Sequence, residues 1–134
     1  MASIIRETSI EVEPEAAWDA LRDWGAVHER LAPGFVSDAR VDGRDRVVTF
    51  VNGSVVRELF VGADDRARRL VWAVADGSLG LAHYNASAQV IVDGKTRTRF
   101  VWTADLLPDD LAGAVSQLME QGLAAIKNTL EKRA

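Results

Sequence analysis

A stripe of apolar residues near the C-terminal end constrains this chain more than any other feature. Leu111, Val115, Leu118, Met119, Leu123, Ile126 and Leu130 recur at three- and four-residue steps, which places them along one face of a helix of more than five turns. Pro108-Asp109 precedes the stripe, and Asp109 is the expected N-cap. A single helix cannot bury so long a face by itself. A strongly curved sheet is its natural partner, because it can wrap the helix.

The rest of the chain supplies such a sheet. Residues 3–12 alternate, with Ile4, Thr8, Ile10 and Val12 on one face and Arg6 in the same register. Pro14 and Glu15 then suit a first helical turn, and Ala17, Trp18, Leu21 and Trp24 fall at helical spacing. Gly25 breaks this helix, and a second short one fits between Ala26 and Leu31, ahead of Pro33-Gly34. From Phe35 to Asp105 the pattern is strands punctuated by turn signals: Asp42-Gly43, Asn52-Gly53, Asp64-Asp65, Asp76-Gly77 and Asp93-Gly94. The expected fold is therefore α+β: a curved antiparallel sheet of about seven strands around a long C-terminal helix, with two short helices after the first strand. This helix-grip arrangement is expected to be a single domain over 1–134.

Asn52-Gly53 predicts a two-residue type I′ loop. That loop sets Val51 opposite Ser54, Thr49 opposite Val56 and Val47 opposite Glu58. One face then carries Val47, Thr49, Val51, Val56, Glu58 and Phe60; the other carries Val48, Phe50, Val55, Arg57, Leu59 and Val61. Both faces are apolar, so alternation alone does not say which turns inward. Further on, Tyr84, Ala86, Ala88, Val90 and Val92 share one face, as do Phe100, Trp102, Ala104 and Leu106.

Composition removes several functions. With 20 acidic and 16 basic residues the formal charge is −4, and no clustered basic face is present to attract nucleic acid. The absence of cysteine excludes disulfides, thiolate metal sites and a thiol nucleophile, and fits a cytoplasmic setting. No apolar run approaches the roughly 20 residues of a membrane span, and the first residues carry no signal-peptide pattern. Stable membrane insertion is not expected. His28 and His83 are far apart, with no ligand spacing around them, so neither a metal nor another cofactor is expected. A Gly-x-Ser-x-Gly elbow and a glycine-rich phosphate loop are both missing. Arg66, Arg68 and Arg69, after Asp64-Asp65, read as a solvated turn.

A sheet bent around one helix leaves a gap toward its mouth, and a gap with apolar walls binds apolar molecules. Ala86, Ala88 and Gly122 either enlarge such a gap or permit close helix–sheet packing. Phe60, Trp72, Trp102, Met119 and Leu123 are candidate walls, with Tyr84 adding an aromatic surface and one hydroxyl. Glu58, between Val56 and Phe60, becomes a partly buried acid if its face is concave, able to hydrogen-bond a ligand or to act as a general acid/base. Arg6 is a candidate to neutralise Glu58 or to anchor a ligand acid.

Pro14-Glu15-Ala16-Ala17-Trp18, Asn52-Gly53, Arg57-Glu58-Leu59, and Asp64-Asp65 before Arg68-Arg69-Leu70 together resemble the SRPBCC group. That group includes START domains, bacterial polyketide cyclase/dehydrase-like and lipid-transport-like proteins, the birch pollen allergen group and the plant abscisic-acid receptors. Tyr84, Trp102 before Pro108, and the tail from Gly122-Leu123 to Leu130-Glu131 fit the same template. The resemblance implies a helix-grip fold with a hydrophobic tunnel. It also implies that Glu58, in Glu-x-x-x-x-x-Asp-Asp, and Tyr84, in the following strand, line the pocket. The receptors' gating loops and the arginine–tyrosine–tryptophan set of the aromatase/cyclases have no match.

The leading expectation is binding of a small lipid-, polyketide- or aromatic-like molecule. The first alternative is a polyketide cyclase or dehydratase, with Glu58 as acid/base and Tyr84 and Arg6 orienting the substrate. The second is a homodimeric module, because the hairpin 47–61 is apolar on both faces.

Overall fold

The computed structural model describes residues 1–75 and 78–133, with Ser78 by its backbone alone. The Asp76-Gly77 turn signal lies outside the described residues. Strand β1 (Ala2–Ile10) leads into helix α1 (Pro14–Arg22), then a 3-10 turn (Trp24–Ala26) and a π-type turn (Val27–Leu31). Six strands follow: β2 (Val36–Asp42), β3 (Asp45–Phe50), β4 (Val55–Asp64), β5 (Arg69–Val74), β6 (His83–Val92) and β7 (Thr98–Leu107). Helix α2 (Ala112–Lys132) closes the chain. The seven strands form one antiparallel sheet in the order β1-β7-β6-β5-β4-β3-β2. A meander with its first strand returned beside its last curls around α2, as a helix-grip fold requires.

Pro14 starts α1 at a position where its missing N–H is harmless. The helix ends at Arg22, before Gly25, and Ala17, Trp18 and Leu21 are buried. Asp109 does not cap α2: it begins a 3-10 turn (Asp109–Leu111), and no side chain caps the helix that follows. The inner face of α2 is Val115, Met119, Gly122, Leu123, Ile126, Thr129 and Leu130. Leu111 and Leu118, expected in the same stripe, are only partly buried. Val92 is also misassigned by alternation: it stands 55% exposed at the end of β6, next to the Asp93-Gly94 turn.

The β3–β4 connection differs from expectation by one residue. The loop has three residues, Val51-Asn52-Gly53, flanked by Phe50 N–H donating to Ser54 O (2.8 Å). Gly53 N–H donates to Phe50 O (2.9 Å), Ser54 N–H donates to Asn52 Oδ1 (2.9 Å), and Gly53 takes φ 91°. A three-residue loop with a left-handed glycine suits Asn-Gly as well as the two-residue loop does. The observed pairs are Arg46–Glu58, Val47–Arg57, Val48–Val56 and Thr49–Val55. A slip of one residue turns all of β3 over relative to β4. Val48, Phe50, Val56 and Glu58 therefore face the core, while Val47 and Thr49 do not. The physical reason is charge: the expected register would bury Glu58 opposite Val47, and an unpaired buried carboxylate costs several kcal/mol. Val51, Val55 and Val61 remain exposed on this hairpin.

The hollow is not filled evenly. Among the strands, α2 packs most closely on β1. At Gly122 the helix backbone meets β7 so tightly that a Cβ would lie 2.7 Å from Trp102 Cζ3 and 3.1 Å from Phe35 Cε2. Gly122 thus serves close packing and does not widen the gap. The sheet bends away from the helix toward β3, β4 and β5, and there the space stays open.

Candidate ligand cavity

That open space is a cavity of about 110 Å³. Its volume is of the order of apolar voids that take up a benzene-sized molecule. Val48 and Val56 line it from the β3–β4 hairpin, Leu70 and Trp72 from β5, and Met119 and Ile126 from α2. Phe35, Leu31 and Val27 close it from the segment between α1 and β2.

Charged groups enter this wall at one place. The corrected register sets Arg46 directly across from Glu58. Arg46 Nε donates to Glu58 Oε1 at 2.8 Å, and Nη2 lies 2.8 Å from the same oxygen. Arg46 Nη1 donates to the Trp24 carbonyl at 3.0 Å. The guanidinium carbon also lies 3.7 Å from the centroid of the Trp24 ring, so a cation–π contact covers one face of the group. All three nitrogens of Arg46 are engaged. Trp24 is held in turn by an edge-on contact with Phe60, with centroids 5.5 Å apart. The two charged side chains are 7% and 10% exposed, which is tolerable only because each satisfies the other.

Tyr84 and Trp102 form the second polar element. They stand on the inner faces of neighbouring strands β6 and β7. The Tyr84 phenol is pushed well above its ordinary range, first by burial and second by the negative charge of Glu58. The Trp102 indole works the other way, stabilising the phenolate. It does not reach hydrogen-bond geometry: its buried Nε1–H has no partner among the described residues. The opposite, benzo edge of that indole is the one lodged against Gly122. Trp72 lies beside it, ring centroids 6.2 Å apart.

A sequence profile described as "Polyketide cyclase / dehydrase and lipid transport" matches residues 1–131. The chain belongs to this family. The sequence matches no curated protein. Solved structures share the fold of this polyketide cyclase/dehydrase family member along its length. An uncharacterised protein of Bacillus thuringiensis superposes with a TM-score of 0.85 at 16% identity, covering 96% of this chain and 98% of that one. The Zhui aromatase/cyclase of Streptomyces sp. R1128 gives 0.80 at 14% identity, with 98% and 94% covered. A point mutant of Thalictrum flavum norcoclaurine synthase, solved with a transition-state analogue, gives 0.73 at 21% identity, with 99% and 96% covered. Likeness at these identities establishes the helix-grip fold and nothing finer.

Five of the nine candidate residues named from the sequence of this family member meet at the cavity: Glu58, Trp72, Tyr84, Trp102 and Met119. Four do not. Arg6 reaches Glu120 on the outer side of α2 (3.5 Å) and its neighbour's carbonyl, Ile5 O (2.8 Å). The neutralising role proposed for it is filled by Arg46. Phe60 backs Trp24 and lies outside the cavity lining; Ala86 and Leu123 are buried in the core away from it. Of Ala86, Ala88 and Gly122, only Ala88 lines the space. Sequence reasoning missed Arg46 and Trp24 altogether. The available signal was the Asn52-Gly53 loop read with three residues, which pairs position 46 with 58.

Elsewhere the side chains are structural. Trp18 Nε1 donates to Asp65 Oδ1 (2.9 Å), and Arg68 pairs with Glu15, tying α1 to the β4–β5 turn. No cluster of three or more His, Asp or Glu side chains suited to a metal occurs among the described residues. None of their helices is long and apolar enough to cross a membrane.

Proposed function

We propose that this chain binds one small, largely apolar molecule in the cavity between α2 and strands β3–β7, as a carrier or sequestering protein acting in the cytoplasm. The observation that carries this reading is the cavity itself: a largely apolar chamber with one charged pair and a few further polar groups, the arrangement by which proteins hold and orient small ligands. Glu58, Trp72, Tyr84, Trp102 and Met119 are its proposed contacts. Both halves of the family description, cyclase/dehydrase and lipid transport, concern molecules with extensive apolar surface.

A cyclase or dehydratase role is the second reading. Glu58 and Tyr84 do share one open space. However, Arg6 points elsewhere, and Glu58 Oε1 already accepts from Arg46. Binding without turnover therefore has the better support.

Native mass spectrometry of protein purified from its own host tests the proposal, together with titration of an apolar fluorescent probe. A co-purifying neutral adduct, or saturable probe binding that Ala88→Leu weakens by filling the space, is the expected result. Absence of both an adduct and probe binding removes the reading.

A further inference from the structure

The polar patch also restricts which molecule fits. Arg46 is the only basic side chain lining the cavity among the described residues, and its charge is already compensated by Glu58. Two of its nitrogens face Glu58, the third faces the Trp24 carbonyl, and the Trp24 ring covers one side. Glu58 adds a negative charge to the same wall. A ligand carboxylate would lose its hydration without gaining a cation, a loss of many-fold in affinity. Trp102 presents the opposite case. Its indole N–H is buried, makes no hydrogen bond although it lies close enough to the Tyr84 hydroxyl to favour the phenolate, and sits on a lining residue, directed away from the Gly122 contact that holds the far edge of the ring. A buried donor without a partner is a standing penalty that a ligand acceptor removes.

Resting on the binding reading above, we propose that the cavity selects neutral, compact molecules that bring one hydrogen-bond acceptor, a ketone or ether oxygen, to the Trp102 indole N–H, and that it rejects carboxylic acids, fatty acids included. The modest volume sets the size limit: one ring with a short substituent, and not an extended acyl chain.

Three probes of nearly equal shape separate the claims: acetophenone, its methylene isostere α-methylstyrene, and benzoate. Calorimetry or ligand-detected NMR gives each affinity in the native protein and in Trp102→Phe, which keeps the aromatic wall and deletes the donor. Comparing the ketone-to-alkene affinity ratio between the two proteins cancels their different transfer from water. The ratio is expected to fall about tenfold in Trp102→Phe, the worth of one buried hydrogen bond. Benzoate is expected not to bind at neutral pH. In 15N-labelled native protein, the Trp102 indole proton should move downfield with acetophenone and not with α-methylstyrene, a readout that holds even where Trp102→Phe fails to fold. An unchanged ratio, a Trp102 indole signal indifferent to the ketone, or benzoate binding as tightly as acetophenone overturns the selectivity while leaving a binding cavity in place. If neither neutral probe binds although the apolar fluorescent probe does, the proposed ligand class is overturned; if none of them binds and no adduct co-purifies, the binding reading itself falls.

Discussion

Arg46 and Glu58, twelve positions apart in sequence, face each other across the β3–β4 ladder with Nε 2.8 Å from Oε1, inside a wall that is mostly apolar. The pair decides the hairpin register, places the one charged patch of the cavity and leaves no cation free for a ligand. It also makes the two residues strongly interdependent, because either charge alone would be buried without compensation.

Truncating one member should therefore be costly. Arg46→Met is expected to lower stability by about 3 kcal/mol, and the double change to Met at 46 and 58 by clearly less than the sum of the single losses. Urea denaturation of the four proteins measures this. Additive losses would show that the two side chains do not act as a pair.

Gly122→Ala sets two effects against each other. Alanine favours the helix by about 1 kcal/mol. Its Cβ, however, would stand 2.7 Å from the Trp102 ring, and overpacking of this kind costs about 1–3 kcal/mol. The tighter contact should win, giving a net loss in thermal and denaturant midpoints. In Trp102→Phe, where the ring edge is withdrawn and only the 3.1 Å approach to Phe35 remains, the loss should shrink.

Tyr84 is the single tyrosine of the chain, so its ionisation can be followed directly. Its folded-state pKa is raised by burial and by Glu58, so the native state holds the phenolic proton after the unfolded chain has released it. Stability is therefore unaffected below about pH 10, and falls as pH climbs through and beyond that value. The near-ultraviolet phenolate band should appear at higher pH than in the unfolded chain, and Tyr84→Phe should flatten the alkaline decline. A reversible phenolate signal near pH 10 in folded protein would contradict the raised pKa of this partly buried phenol.

Gly53 holds φ 91° in the three-residue loop. Open space surrounds its Cα, so any effect of a side chain there is conformational and not a clash. Gly53→Ala is expected to cost about 1 kcal/mol. Amide exchange at Phe50 should quicken, because that N–H closes the loop onto Ser54 O. Unchanged exchange would mean that the register is held without the glycine.

The sequence was most informative where one periodic pattern runs uninterrupted. The stripe from Val115 to Leu130 demanded a wrapped helix. The turn signals spaced through 42–94 supplied the strands, and alternation in 84–90 and 100–106 told inside from outside, because one face of those strands is wet. From these the helix-grip fold was legible, whereas Glu58 and Tyr84 were placed at the pocket by the family resemblance and the face of the 47–61 hairpin stayed open.

Register and cavity shape were decided only in three dimensions. Asn52-Gly53 serves a two- or a three-residue loop, and the hairpin is apolar on both faces, so no local signal broke the tie. Burial of Glu58 broke it, since a desolvated carboxylate needs a cation and only one register brings Arg46 opposite. Whether Gly122 opened space or closed it likewise depended on the Trp102 side chain arriving from another strand. Local pattern sets which face of an element is oily; where those faces meet, and what gap they leave, follows from packing between segments distant in the chain.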